Sequence, residues 1–362
     1  MKPFYTLVAM LMFAVASKAG GIEDSLFHEQ VFSFQSHAAK MELKGTLVIP
    51  EKFSSKGRIV ILATPPLPLS GDYGGLFKSL AETLGKRGIA SLRFDNRAYT
   101  DTAIGPEETD MFDQADDLDA ALSALRGDAR FKNAVIGLAG HSEGGASVAI
   151  AASQGKQVDF IVLLSAIGIS GRALTNYQVE QSTAALAGGL STGARDTLLQ
   201  VSKKYIEIIS NAVTIDVARN EIGAFNEGLI KQSPDLLGRN QTIGQFNKVM
   251  GRGWINRHKY AYIRFRPELY YKKINCPVLA LCGKFDENLD CRTNLDGIKN
   301  LMASGGNKQV TMWVIDSLNH GYQKATEKVI RNPWLHYAKS GKPPGFSIAT
   351  WNRIADWIKE QH

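Results

Sequence analysis

Between residues 58 and 170 one unit recurs along the chain. A short, almost unbroken apolar run gives way to a turn, and the turn to a stretch whose apolar residues stand three and four apart. "RIVILAT" (58–64) leads to "LFKSLAETLGKRG", where Leu76, Leu80 and Leu84 share a face and Gly85 reads as the stop. "IASLRFD" precedes "DMFDQADDLDAALSALRGD", a helix expected to turn Phe112, Ala115, Leu118, Leu122 and Leu125 inward and an acidic face outward. "NAVIGLAG" precedes the small-residue helix "GGASVAIAAS", and "DFIVLLSA" is a further strand. A strand apolar at consecutive positions is buried on both faces, because its side chains alternate between them. Strands alternating with helices imply right-handed crossovers and a mainly parallel sheet, so the fold class is α/β.

Ahead of this series, "LFHEQVFSFQ" and "KMELKGTLVIP" alternate roughly and read as antiparallel strands. The pattern breaks from about Gly171 to Tyr270, a helix-rich stretch without an apolar strand. It resumes with "PVLALCG", "LDGIKNLMAS" and "QVTMWVID", and closes on "SIATWNRIADWIKEQ", where Ile348, Trp351, Ile354 and Ile358 share a face. The expected organisation is a mainly parallel central sheet flanked by helices, built from residues 21–170 and 268–362, with a helical cap inserted at 171–267. A chain of 362 residues, 44% hydrophobic and 21% charged, suits that arrangement.

Residues 1–20, "MKPFYTLVAMLMFAVASKAG", are expected to be a signal peptide. Lys2 precedes an apolar run from Phe4 to Val15, and small residues stand at Ala14, Ala16 and Ala19, which suits a cut after Ala16 or a few residues later. The apolar run is too short to span a bilayer comfortably. The mature protein is therefore expected to be periplasmic or secreted, with no stable membrane insertion after signal cleavage. The net charge is +7, and residues 171–265 carry 12 Lys and Arg against 7 Asp and Glu. Acidic substrates or a solvated basic face would both account for that surplus. No zinc-finger spacing or aromatic-interleaved basic patch points to nucleic acid. Cys276, Cys282 and Cys291 lack C-x-x-C spacing and an accompanying histidine cluster, which argues against a metal site. Export would permit a Cys282–Cys291 disulfide across the intervening loop; a buried Cys282 beside a free Cys291 is the alternative.

The chemistry centres on "LAGHSEGGAS" (138–147). Ser142 stands where an apolar strand ends and a small-residue helix begins, with Gly140 and Gly144 around it. A nucleophile elbow needs that setting, because the turn strains the serine backbone and the glycines let strand and helix pack closely. The helix N-terminus then directs N–H groups at charge developing on a bound carbonyl. A serine hydroxyl needs a base, and the base needs an orienting carboxylate. Asp286 follows the strand "PVLALC" in "GKFDENLDC", and His320 follows "VTMWVID" in "SLNHGYQ". Both are expected at the carboxyl edge of the sheet, where ligands of open α/β sheets bind. Asp290 in the same loop is the rival acid. His141 is expected to be structural, His336 follows no strand directly, and His28, His37, His258 and His362 have the wrong context or order.

With these pieces the chain resembles an exported bacterial α/β-hydrolase, of the kind grouped with esterases and serine aminopeptidase-like hydrolases. The resemblance rests on "GHSEGG", "INCPVLALCGKFDENL" and "LNHGYQ" and covers about residues 40–170 and 268–362. It implies Ser142 as nucleophile, Asp286 as acid and His320 as base, acting on a small-molecule acyl substrate without metal or organic cofactor. Two stretches depart from the pattern. Where relatives carry a glycine-rich oxyanion turn, this chain reads "ATPPLPLSGD", and Pro65 and Pro66 have no N–H to donate. The oxyanion hole would then use the N–H of Glu143 and, as the next available donor, that of Leu67. In "RFDNRAYTDT" a glycine is missing, and Asp95 with Arg97 is expected to form a buried structural pair. An exported carboxylesterase, an aminopeptidase-like variant of the same chemistry, and a non-catalytic binding protein on this fold all remain open at this level.

Overall fold

The computed structural model describes residues 26–155, 157–236, 241–325 and 345–362. The proposed signal peptide and His336 lie outside them. Strands β1 (Phe27–Ser36) and β2 (Met41–Pro50) form an antiparallel hairpin that pairs Phe27 with Pro50 and Ser36 with Met41. The remaining strands are β3 (Arg58–Ala63), β4 (Ala90–Phe94), β5 (Val135–His141), β6 (Phe160–Leu164), β7 (Val278–Gly283) and β8 (Val310–Ile315). They form an eight-stranded sheet ordered β1-β2-β4-β3-β5-β6-β7-β8. From β4 to β8 every pairing is parallel, while β2 joins β4 antiparallel.

The apolar runs are explained by this burial. In β3, Ile59, Ile61 and Ala63 enter the core on one face of the sheet, and Val60 and Leu62 enter it on the other. The helices in chain order are α1 (Leu76–Lys86), α2 (Arg97–Thr100), α3 (Met111–Gly127), α4 (Glu143–Ala152), α5 (Gly171–Ala185), α6 (Thr192–Asn211), α7 (Ile215–Gln232), α8 (Ile243–Trp254), α9 (Arg257–Ile263), α10 (Glu268–Tyr271), α11 (Cys291–Ser304) and α12 (Ile348–Lys359). Leu76, Leu80 and Leu84 of α1 pack with Trp351, Ile354 and Ile358 of α12 over one face. Helices α3 and α4 cover the other face. Between β6 and β7 the described residues form helices and no strand.

Three local expectations change. Gly85 lies inside α1, where it makes room for Phe27 and Val48; the left-handed residue after the helix is Gly88, at φ +81°. Phe112 is exposed, and Met111 takes the core position instead, because the N-cap of α3 falls at Asp110 and sets the helix phase. Ile348 is half exposed at the first turn of α12, while Trp351, Ile354 and Ile358 are buried.

The Asp95–Arg97 pair does not form. Asp95 accepts from the Gly71 N–H at 2.8 Å. Arg97 reaches α3, where its guanidinium bonds Asp113 at 2.8 Å and Asp117 at 2.7 Å. Asp113 and Asp117 stand one turn apart on the same face of α3, so a planar five-donor group can hold both. Part of the acidic face read as outward is therefore buried.

Candidate active site

Ser142 caps α4 at φ 56°, ψ −123°, left-handed backbone that L residues rarely adopt. The surrounding packing fixes it there. A Cβ on Gly140 would lie 2.3 Å from the Gly144 carbonyl oxygen, and one on Gly144 would lie 2.3 Å from that of Ala63. The Ser142 N–H donates to Leu164 O at 2.8 Å, and its carbonyl accepts from Gly145 N–H at 3.0 Å. Strand β5 thus runs straight into the helix through a turn with no spare volume.

Asp286 follows β7 and is buried. Its Oδ1 accepts from the N–H groups of Asn288 at 2.9 Å and Leu289 at 3.0 Å. His320 Nδ1 lies 2.8 Å from Oδ2 and 2.9 Å from Oδ1. A carboxylate facing Nδ1 fixes the proton there and leaves the Nε2 lone pair free to act as a base. Burial works against the charged imidazole, but Asp286 outweighs it and raises the His320 pKa. Burial likewise opposes the Asp286 carboxylate, and His320, with the Asn288 N–H and the Ser165 side chain, holds its pKa below the ordinary value. Glu287 adds a contact of its own, accepting the His320 N–H at 3.1 Å. The rival acid Asp290 is committed elsewhere, capping α11 through the Thr293 N–H at 2.8 Å.

His141 ties the elbow to the histidine loop. Its Nε2 lies 2.8 Å from His320 O, which can only accept, so Nε2 carries the proton. Nδ1 then accepts from the Tyr73 hydroxyl at 3.1 Å. Burial, together with neighbouring His320, pushes the His141 pKa down to about 3, in keeping with a neutral ring. The residue before Ser142 therefore touches the loop bearing His320, with the two histidine ring centroids 4.6 Å apart.

The proline loop is pinned rather than open. Asn96 donates to Pro65 O at 2.7 Å and Leu67 O at 2.8 Å. The Leu67 N–H is 2.8 Å from Pro65 O, an i to i+2 turn bond, so offering it to an oxyanion would require that bond to open. The Glu143 N–H heads α4 beside Ser142. Cys276, Cys282 and Cys291 are free thiols, and Cys282 Sγ lies 3.6 Å from Asp286 Oδ2. Among the described residues no cluster of three or more His, Cys, Asp or Glu is placed to hold a metal ion.

His258 is the residue that sequence reasoning passed over. It lies on α9, far from the elbow in sequence, yet its Nε2 is 3.2 Å from Glu143 Oε2. No periodicity or spacing carries that contact. His28, in contrast, sits at the surface against Glu51, and His37 is exposed.

No family model matches the sequence, and no curated protein matches it in sequence either. Solved structures do match over nearly the whole chain. An esterase of Pyrococcus furiosus is 14% identical, covering 96% of this chain and 98% of its own at a TM-score of 0.51. A hypothetical protein from Pseudomonas aeruginosa is 12% identical, covering 94% and 95% at 0.52. Est1E from Butyrivibrio proteoclasticus, solved with ferulic acid bound, is 15% identical, covering 91% and 98% at 0.50. At such identities the similarity establishes the fold: this chain has the α/β-hydrolase fold, an eight-stranded, mostly parallel sheet flanked by helices.

Proposed function

We propose that this protein is a serine hydrolase that cleaves carboxylic esters, or a related acyl bond, through an acyl-enzyme on Ser142. The observation that carries this reading is the buried Asp286–His320 pair at 2.8 Å, on a loop that His141, the residue before the φ 56° serine, contacts at 2.8 Å through the His320 carbonyl. His320 Nε2 takes the Ser142 proton as Oγ attacks the acyl carbon. The imidazolium so formed is stabilised by Asp286 and returns the proton to the leaving group. Water then attacks the acyl-enzyme with His320 again as base, and Ser142 is regenerated. The helical segment 171–267 is the cap that would shape the acyl and leaving-group pockets. Export, with a periplasmic or secreted mature protein, remains part of the proposal and rests on residues 1–20 alone.

A second reading is a non-catalytic binding protein. The bonded Leu67 N–H favours it, since one oxyanion donor in place of two forfeits roughly 3 kcal/mol of transition-state stabilisation. A fluorophosphonate probe separates the two. The wild type is expected to be labelled and Ser142→Ala not, and a panel of p-nitrophenyl esters should then give turnover. A folded wild type that neither labels nor hydrolyses any ester in the panel sinks the hydrolase reading.

A further inference from the structure

Glu143 places a carboxylate on the very residue whose N–H would face the oxyanion in the proposed reaction. Its side chain is buried, and its Oε1 has no hydrogen-bond partner among the described residues. An unneutralised negative charge there would oppose the charge that the oxyanion hole has to stabilise. The cap supplies the counter-charge. His258 Nε2 lies 3.2 Å from Glu143 Oε2, and its other ring nitrogen, Nδ1, lies 3.0 Å from the carbonyl oxygen of Thr109.

Both neighbours of this ring are acceptors. A neutral imidazole has one N–H, so one of the two contacts would set a lone pair against an oxygen. Only the imidazolium satisfies both. The His258 backbone N–H is also fixed, on Glu107 O at 3.1 Å, and the ring stacks on Tyr262 at an interplanar angle of 10°. The neighbouring Arg257 is anchored on Asp110 at 3.0 Å and Asp113 at 2.8 Å, which seats α9 against the core. The other charged and titratable groups facing the pair are Lys259, a second cation in the field of Glu143 whose ammonium lies 5.5 Å from the Tyr262 ring centroid, and the hydroxyls of Tyr262 and Tyr73, whose pKa values burial and Glu143 both raise.

We infer that His258 is a positioning residue held as an imidazolium, whose charge cancels Glu143 beside the oxyanion hole and whose deprotonation gives the enzyme an alkaline limb. Burial works against the charged ring, while Glu143 and the Thr109 carbonyl outweigh it and raise the His258 pKa. The sign follows. The cation is complete below that raised value and is lost as pH climbs through it, exposing the Glu143 carboxylate to the oxyanion. The inference rests on the hydrolase reading only for its effect on rate.

The test therefore has two readouts. With p-nitrophenyl acetate, wild-type kcat is expected to fall on the alkaline side by about 10-fold, as a lost charge interaction would dictate. His258→Gln keeps an N–H for Glu143 without the charge, so above the His320 acid limb its rate should match the depressed alkaline rate of the wild type and show no further alkaline fall. Glu143→Gln should remove the alkaline limb as well, and adding His258→Gln to it should cost less than about 2-fold, because the two residues act as one unit. Independently of activity, histidine ¹⁵N spectra, assigned by the signal missing in His258→Gln, should have both His258 nitrogens still protonated at the ordinary histidine midpoint of about pH 6.5, where a free imidazole is half neutral. A neutral His258 ring at that pH overturns the inference whether or not the protein is a hydrolase. So does an alkaline limb that is absent from the wild type or survives in His258→Gln, or a double variant whose losses add. Absence of Ser142 labelling with an imidazolium present would instead remove the hydrolase reading and leave the charge state standing.

Discussion

At Asp286 and His320 the chemistry reduces to one proton shared along one hydrogen bond. As the proposed base, His320 could accept a proton only when Nε2 is unprotonated, and its pKa is raised by Asp286 in spite of burial. Turnover should thus rise with pH through a midpoint above the ordinary histidine value of about 6.5. Asp286→Asn removes the charge that raises it and leaves the burial that lowers it, so the acid limb should shift to lower pH while kcat falls. Ser142→Ala and His320→Ala should each cost on the order of 10⁴ to 10⁶ in kcat with folding retained. An acid limb that stays in place in Asp286→Asn would assign it to a group other than His320. Two histidines here illustrate how partners set protonation. His141, between a hydroxyl donor and a carbonyl acceptor, is neutral, and His320 holds its proton on Nδ1 against a carboxylate.

Among the elements, the junction of β3, β5 and α4 sets the tolerances. Gly144 passes so close to β3 that an added Cβ would meet the backbone carbonyls of Ala63 at 2.3 Å and Thr64 at 2.6 Å. Backbone cannot swing aside as a side-chain tip can, so Gly144→Ala should destabilise by about 2 kcal/mol or more and disturb the elbow. Gly127, the last residue of α3, has nothing within 4 Å of its would-be Cβ and no positive φ. Gly127→Ala should be neutral or stabilising by up to ~1 kcal/mol, through a less flexible unfolded chain. Urea midpoints of the two variants decide the matter; equal effects would mean that the close approach at Gly144 is unimportant.

At the largest scale, α9 meets α3 beside a buried charge cluster through the half-exposed Arg257. Arg97 holds Asp113 and Asp117, and Arg257 from α9 shares Asp113 at 2.8 Å. Asp117 has no exposed surface, and besides Arg97 it has the Ser36 hydroxyl at 2.6 Å. Arg97→Met would leave that carboxylate uncompensated, at a cost of about 3–5 kcal/mol. Burial already raises the Asp117 pKa despite the guanidinium. A carboxyl with a raised folded pKa gains stability as pH falls, so part of the loss in Arg97→Met should be recovered at acidic pH. Urea midpoints at two pH values test this: a deficit independent of pH would mean that Asp117 is not the group left unpaired.

Whatever depends on periodicity and local chain geometry was legible in the amino-acid order. Apolar runs such as Arg58–Ala63 can be buried only as central strands, and their alternation with helices leaves the parallel α/β sheet. The glycines around Ser142 and the strand ends before Asp286 and His320 mark one edge of that sheet, because a parallel sheet gathers all its carboxyl ends there. Partner choice across long separations was not legible. Nothing near Arg97 names Asp113 and Asp117 over Asp95, nothing in "ATPPLPLSGD" shows that the Leu67 N–H is spent on Pro65, and nothing near residue 258 names Glu143. Such contacts are set by how α2, α3 and α9 dock, and docking is decided by the volume and charge of surfaces that meet only after the chain has folded.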